Sequence, residues 1–216
     1  TDNAYVRGDV TAISPGVEGE IVKVSVHEYQ QVPAGELLVT IDKAPYEARL
    51  TQAMAMLAVQ DAALAAMEEQ LKLQDVMVRE AEAGLNVALA ESERVGKEWG
   101  RMNTLGDKGY AALQGIDNTS AARRAADASV VKARASIDAI VQQKLALEAD
   151  RERLRATRDA SRATVELAEI ELAHAEIKAP IAGVVADLLA KPGLRVREGT
   201  RLLTLVPRDG LWIEAN

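Results

Sequence analysis

Two short β-type segments near opposite ends of the chain repeat each other, and that repeat dictates how the chain can fold. The first runs from about Val10 to Asp42 and the second from about Glu176 to Pro207. From the first shared glycine onward they align without a gap at a constant offset of 164. Gly19 falls on Gly183, Ile21 on Val185, Val32 on Val196, Gly35 on Gly199, Leu38 on Leu202 and Ile41 on Leu205. Just upstream each copy carries a proline, Pro15 and Pro180, one position out of register. Neither half is large enough to bury an apolar face alone, so the two must fold onto each other. The chain therefore leaves a small β unit and comes back to it.

What lies between reads as two long helices. From Pro45, suited to a first helical turn, Leu50, Leu57, Leu64, Leu71, Val78, Leu85, Ser92 and Trp99 follow at seven-residue steps. Ala53, Gln60, Met67, Gln74, Ala81, Ala88, Val95 and Met102 lie three residues after each and complete an a/d seam. This predicts a helix to about Leu105, roughly 60 residues long and spanning about 90 Å at 1.5 Å per residue. A partner helix is expected from Asp117 or Asn118 to about Ala175. Its stripe of Val130, Ala133, Ile137, Ile140, Leu147, Leu154, Val165, Ala168 and Leu172 keeps the heptad. Lys144, Arg151 and Arg158 interrupt it, so their aliphatic stems are expected to snorkel along a narrow seam. Gly106, Gly109 and Gly115 supply turn geometry around Tyr110, and so short a connection makes the helices antiparallel.

The remaining composition excludes several functions. Only 3% of the residues are aromatic, with no Phe, which suits an extended coiled coil better than a bulky core. The absence of Cys removes disulfides, thiolate chemistry and Cys-ligated zinc. A net charge of −7 disfavours nucleic acid as the main partner. His27 and His174 are far apart and have no ligand-spaced partner other than carboxylates such as Glu28. His27 reads as a loop residue before the Tyr29-Gln30-Gln31 turn and His174 as a helix-end residue. The carboxylates flank heptads as solvated charges, and the glycines lack the strand-to-helix context of a phosphate loop. These residues point to no enzyme, metal or cofactor. No apolar stretch is expected to reach the ~20 residues that cross a bilayer, and no signal peptide is recognised. The chain opens in an apparent strand, Ala4 to Arg7, and closes in another, Leu211 to Ala215, so both ends read as cut from something longer.

In each half the pattern Pro-x-x-(x)-Gly-x-hydrophobic is followed by Val-x-x-Gly-x-x-Leu, and a long helical hairpin separates the halves. This resembles the periplasmic adaptor proteins, the membrane fusion proteins of the HlyD type. The opening Thr1-Asp2-Asn3-Ala4-Tyr5-Val6, the Ile41-Asp42 that closes the first half, and the terminal Leu211-Trp212-Ile213-Glu214-Ala215-Asn216 resemble the EmrA-like branch of that family. The resemblance implies an α+β fold: a long antiparallel α-helical coiled-coil hairpin inserted into a split biotinyl/lipoyl-like β domain, with partial β-barrel strands at both chain ends. It divides the chain into a barrel strand at 1–8, a first half-domain at 9–43, the hairpin at 44–175 with its tip at about 103–117, a second half-domain at 176–207 and the start of a barrel at 208–216.

The same resemblance implies an adaptor in the periplasm of a Gram-negative bacterium, anchored to the inner membrane by a segment outside this chain. It would link an inner-membrane major facilitator superfamily drug exporter to an outer-membrane TolC-like channel, as a ring of six copies or three pairs. In that family the hairpin tip meets the channel, often through Arg-x-x-x-Leu followed seven residues later by Ser. Here Arg101, Leu105 and Ala112 fall on that spacing with alanine in place of serine, and Asp117 follows where an acidic residue is common. With Gly106 and Tyr110 they form the expected docking site. Arg101 has a second reading, as a cation that offsets the helix macrodipole. Two other functions fit parts of the pattern: the adaptor of a type I, ABC-driven polypeptide secretion system, and a lipoyl or biotin carrier modified on Lys43. The carrier reading needs a tight exposed turn, whereas Lys43 precedes a helix that starts at Pro45. A coiled-coil protein without a transport role would leave the ungapped repeat unexplained.

Overall fold

The computed structural model describes residues 4–7, 10–207 and 212–215. It comprises two compact units, one formed by Thr1–Val59 with Asp159–Asn216 and the other by Gln60–Arg158. In chain order the elements of the first half are β1 (Ala4–Arg7), β2 (Thr11–Ile13), β3 (Gly19–Val24), β4 (Gln31–Val32) and β5 (Leu37–Ile41). Two helices follow, α1 (Ala44–Asp107) and α2 (Leu113–His174). The second half contributes β6 (Glu176–Lys178), β7 (Gly183–Ala186), β8 (Arg195–Val196), β9 (Leu203–Pro207) and β10 (Trp212–Ala215). The chain ends pair with each other, β1 antiparallel to β10 with Ala4 opposite Ala215.

The repeat becomes a pseudo-twofold. One four-stranded sheet has the order β2-β9-β7-β4 and the other β6-β5-β3-β8. Exchanging every strand for its copy turns the first order into the second, so each sheet takes two strands from each half. The registers repeat as well: Ile21 faces Ile41 as Val185 faces Leu205, and Gly19 faces Val196 as Gly183 faces Val32. The copies part company around β5. Its pairing with β3 shifts between Ile21 and Lys23, and its pairing with β6 shifts between Leu37 and Val39. That is the strand that runs into α1.

The aligned apolar residues are the core. Ile21, Val185, Leu38, Leu202, Ile41 and Leu205 are essentially inaccessible, and Val26 and Ala190, also one offset apart, are buried beside them. Each such large side chain contributes about 1.5–3 kcal/mol on burial, which neither half could collect alone. The first shared glycine is a packing requirement. A Cβ on Gly19 would lie 2.5 Å from Ile41 Cγ2, and one on Gly183 would lie 2.7 Å from the carbonyl oxygen of Val206.

The heptad pattern marks the helix seam. Every a and d residue named above on α1 is buried or half-buried. In the β-bearing unit Leu50, Ala53 and Leu57 pack with Val165 and Ala168. In the other unit Gln74, only 4% exposed, donates to the Ile140 carbonyl at 3.1 Å. The cations that interrupt α2 lie along the seam, half-buried. Lys144 meets Asp75 at 2.7 Å, Arg158 meets Asp61 at 2.9 Å and Arg151 meets Glu152 at 2.8 Å. Two sequence expectations need correction. Helix α2 starts at Leu113, four residues before Asp117, for a capping reason given below. And α1 does contain an 18-residue window of mean hydropathy 1.3, apolar and long enough by composition alone to cross a membrane. Its Ala-, Leu- and Met-rich make-up is the same one that supplies the seam.

Candidate partner-docking site

The tip lies in the Gln60–Arg158 unit and is built by how α1 stops and α2 starts. Gly109 adopts a left-handed φ of 76°. Its amide donates to the Gly106 carbonyl at 2.8 Å and the Tyr110 amide donates to the Leu105 carbonyl at 2.9 Å, the paired bonds of a Schellman C-cap. That geometry leaves Tyr110 81% exposed. Two residues on, the carbonyl of Ala112 accepts from the amides of Gly115 (2.9 Å) and Ile116 (3.3 Å). Ala112 is therefore the N-cap of α2, in a position that ordinarily goes to a residue with a side-chain oxygen. An alanine cap leaves no sequence signal, which is why the sequence points to the next good capping residues, Asp117 or Asn118, as the start.

The expected docking residues fall into three groups. Arg101 and Leu105 stand together on α1, lining a shallow depression with Gly100 and Thr104; Leu105 is 46% exposed. Gly106 instead lies in the seam, where a Cβ would sit 2.5 Å from Ile116 Cδ1, so its role is to let the helices close. Tyr110 and Ala112 are exposed in the turn, and Asp117 is exposed on the second turn of α2. Among the described residues neither the Arg101 nor the Asp117 side chain has a hydrogen-bond or ion-pair partner. Arg101 lies six residues before the end of α1, whose last turn holds no basic residue. The macrodipole reading therefore fails, since that effect fades within one turn. Sequence reasoning missed Leu113, 81% exposed as the first residue of α2 and off the a/d seam. Just below the tip the Arg123 guanidinium stacks 4.4 Å from the Trp99 ring and ties the two helices together. The tip thus exposes Leu105, Tyr110 and Leu113 beside Arg101, Asp107, Lys108 and Asp117, four charged side chains without an ion-pair partner among the described residues.

Lys43 is a helix-start residue. Its carbonyl accepts from the amides of Tyr46 and Glu47 at 2.9 Å each, Asp42 Oδ1 accepts from the Ala44 amide at 3.1 Å, and its ammonium pairs with Glu176. Hydrogen bonds from Lys43 and then Lys178 hold the Glu176 carboxyl below the usual carboxylate range. Beside it Tyr46 donates to the Glu18 carbonyl at 2.5 Å, and burial pushes its phenol up. The His27 amide donates to Gln30 Oε1 at 3.0 Å in a local turn, and the His174 ring packs on Gly16. Among the described residues no group of three His, Cys, Asp or Glu is placed to hold a metal.

A family model described as RND MFP, barrel-sandwich hybrid domain, matches residues 9–207. The colistin resistance protein EmrA of Acinetobacter baumannii is 32% identical over 216 residues, covering all of this chain and 61% of that protein. The multidrug resistance protein MdtN of Escherichia coli K12 is 28% identical over 226 residues, covering all of this chain and 62% of that protein. The chain therefore spans about three-fifths of the length of these curated relatives. Among solved structures, the periplasmic adaptor protein EmrA superposes with a TM-score of 0.57 at 17% identity, covering 99% of this chain and 77% of the other. The soluble domain of LipC, a membrane fusion protein of a type I secretion system, gives 0.59 at 14% identity, covering 92% of this chain and all of the other. At these identities the structural likeness is one of fold.

Proposed function

Since the chain belongs to the membrane fusion protein family, with the barrel-sandwich hybrid domain of that family over residues 9–207, we propose that it is part of the periplasmic adaptor of a tripartite drug efflux pump. The adaptor would link an inner-membrane exporter of the major facilitator superfamily to an outer-membrane TolC-like channel in a Gram-negative cell. One observation carries this reading: similarity over the whole chain to proteins named for colistin and multidrug resistance. The division of labour follows from the elements. The two interlocked sheets form a rigid body on which a hairpin can be carried, and the hairpin ends in exposed side chains, not in a cavity. Leu105, Tyr110 and Leu113, with Arg101 and Asp117, would pack against helical ends of the channel in the manner of helix-to-helix docking. A slender hairpin cannot enclose a path, so several copies would stand side by side in a ring, six or three pairs, around the exported drug. The type I secretion reading shares the fold, as the likeness to LipC illustrates, and differs in partner and cargo.

Crosslinking in cells tests the proposal, and the chain has no cysteine of its own to interfere. Leu105→Cys and Ala112→Cys are expected to crosslink to an outer-membrane channel, while Glu68→Cys, on α1 well away from the tip, is not. Self-crosslinks alone, or none, from both tip positions would remove the tip from the docking role.

A further inference from the structure

Helix α1 carries a second heptad stripe, on the face turned away from α2. From Ala66 to Ala90, at alternating steps of three and four, the residues are Ala, Leu and Val, broken only by Glu69 and Glu80. All of them are exposed: Leu73 at 55%, Val76 at 48% and Val87 at 71%. This is a contiguous apolar edge that nothing in the hairpin covers, and a heptad step is the signature of a helix packed on another helix. The outward face of α2 carries the matching element. From Lys132 to Ala156 the same steps meet alanine throughout except at Lys132, Gln142 and Arg153, and every one of these positions is exposed.

The two stripes fit each other in one register. The interruptions Glu69 and Glu80 are eleven residues apart, and so are Gln142 and Arg153. Set antiparallel with Glu69 opposite Arg153, the stripes bring Glu80 opposite Gln142, while Leu73, Val76 and Val87 fall opposite Ala149, Ala146 and Ala135. Large knobs on one helix thus meet alanine holes on the other, and each carboxylate meets a donor. A slip of one heptad sets Glu69 against Ala160 and Arg153 against Val76, or Glu69 against Ala146 and Arg153 against Ala62, and so leaves both charges against apolar side chains. Among the described residues these two charges are held by exposed pairs on their own helices, Glu69 with Lys72 at 2.6 Å and Arg153 with Asp150 at 3.3 Å, which are weak and easily exchanged.

We propose that α1 of one copy docks its outward stripe on the outward alanine stripe of α2 in the next copy, with Glu69 paired to Arg153. The two faces belong to opposite sides of one hairpin, so the contact is heterologous and repeats from copy to copy. Its register also sets the height of neighbours. Within a hairpin Asp75 lies level with Lys144, which makes the level partner of Leu73 residue Ala146. Across the outer seam Leu73 meets Ala149, an offset of about 4.5 Å at 1.5 Å per residue. Adjacent hairpins are therefore shifted by less than one helical turn, an offset that a lean of the hairpins from the ring axis accommodates. The inference rests on the adaptor reading only in taking several copies to work together.

The test is disulfide formation in the intact protein under mild oxidation. Leu73→Cys combined with Ala149→Cys points the two thiols out of opposite faces of one hairpin, beyond the ~7 Å Cα separation a disulfide allows, so any bond joins two copies. The expected result is a ladder of linked multimers, with a yield about tenfold above that of Leu73→Cys with Ala156→Cys, which is one heptad out of register. Adding Glu69→Arg should cut the in-register yield about tenfold, and Arg153→Glu on top should restore it. Equal yields from the two cysteine pairs, or indifference to Glu69→Arg, would overturn the proposal. The tip crosslink from Leu105→Cys to the channel, read in the same cells, separates the two ideas. A channel crosslink without the ladder removes the outer seam and leaves the adaptor; a ladder without the channel crosslink keeps the seam and removes the tip.

Discussion

Ala112 occupies the N-cap of a 62-residue helix without a side chain that can cap. Its carbonyl serves Gly115 and Ile116, so Ala112→Ser adds an oxygen on the side of the first-turn amides at no cost in packing, because the residue is exposed. A serine in place of alanine at an N-cap typically stabilises by about 1 kcal/mol, which at room temperature is about a fivefold shift in a local opening equilibrium. The tip opens locally, so the midpoint of global unfolding should hardly move. Hydrogen exchange under native conditions is the suitable assay: the amides of Gly115 and Ile116 should exchange about fivefold more slowly in the serine variant. Unchanged protection of those amides, with exchange elsewhere as before, would refute the capping argument. The experiment also separates two roles for a hydroxyl here. If the oxygen acts as a contact to the channel and not as a cap, exchange stays the same and crosslinking from Leu105→Cys rises.

Three further perturbations follow from the β unit. Tyr29 and Gly193 are equivalent residues with left-handed φ of 68° and 82°. Tyr29→Gly should relieve a conformational cost of about 1–2 kcal/mol against about 0.5–1 for the freedom of glycine, giving a small gain in urea unfolding, while Gly193→Ala should lose about 1. A Tyr29→Gly variant less stable by more than about 1 kcal/mol would mean that the ring does more than its 77% exposure suggests. Gly183→Ala drives a methyl into the rigid Val206 carbonyl, whereas Gly19→Ala meets the side-chain methyl of Ile41. Gly19 also holds a φ of 159°, which a side chain rarely adopts, so both variants should lose about 1–3 kcal/mol, and unchanged stability of Gly183→Ala, where packing acts alone, would contradict the packing account. Lastly, the depressed Glu176 carboxyl contributes stability that is present above its ordinary value of 4.5 and is lost as pH falls through the lower folded value. Lys43→Gln should flatten that part of the curve of melting temperature against pH; an unaltered acid limb would show that the pair is not the source.

Burial periodicity was legible because it is what the sequence records most directly. The a and d residues from Leu50 to Met102 coincide with the buried line of α1, and the repeat partners Ile21 with Val185, Leu38 with Leu202 and Ile41 with Leu205 form the heart of the sheets. Features set by backbone geometry were less visible. No residue preference announces an alanine N-cap, so the start of α2 was displaced. The left-handed turn at Tyr29 was readable only through its copy, where glycine stands at the same place. Leu113 went unnoticed because it lies off the seam, although an exposed leucine beside a turn is itself a signal. The outward stripe of α1 was hidden for a different reason: it has the same period as the inner seam, so a single heptad pattern carries both faces.

The split repeat also explains how the base of the hairpin is held. Strand β5 leads into α1 through Asp42 and Lys43, and α2 returns into β6 through Ala175 alone. The two strands pair directly, with Thr40 opposite Glu176, and the Ile41 amide donates to the Ala175 carbonyl at 2.9 Å. The first turn of α1 and the last turn of α2 therefore leave adjacent points of one sheet, and the Lys43–Glu176 pair bridges the gap between them. That root keeps the register of its copy. At β2 and β9 the equivalent pairing sets Ala12 opposite Thr204 and Ile13 opposite Leu203, which at the offset of 164 become Glu176 opposite Thr40 and Ile177 opposite Val39, the pairs observed. The departures lie farther from the helices, between Ile21 and Lys23 and between Leu37 and Val39. A bulge adds one residue to one strand and bends it, and neither bulge falls at Thr40 or Glu176, where the helices leave the sheet. The hairpin is thus inserted where the repeat is intact, and the regular ladder at its root sets the two helices side by side so that Leu50, Ala53 and Leu57 meet Val165 and Ala168.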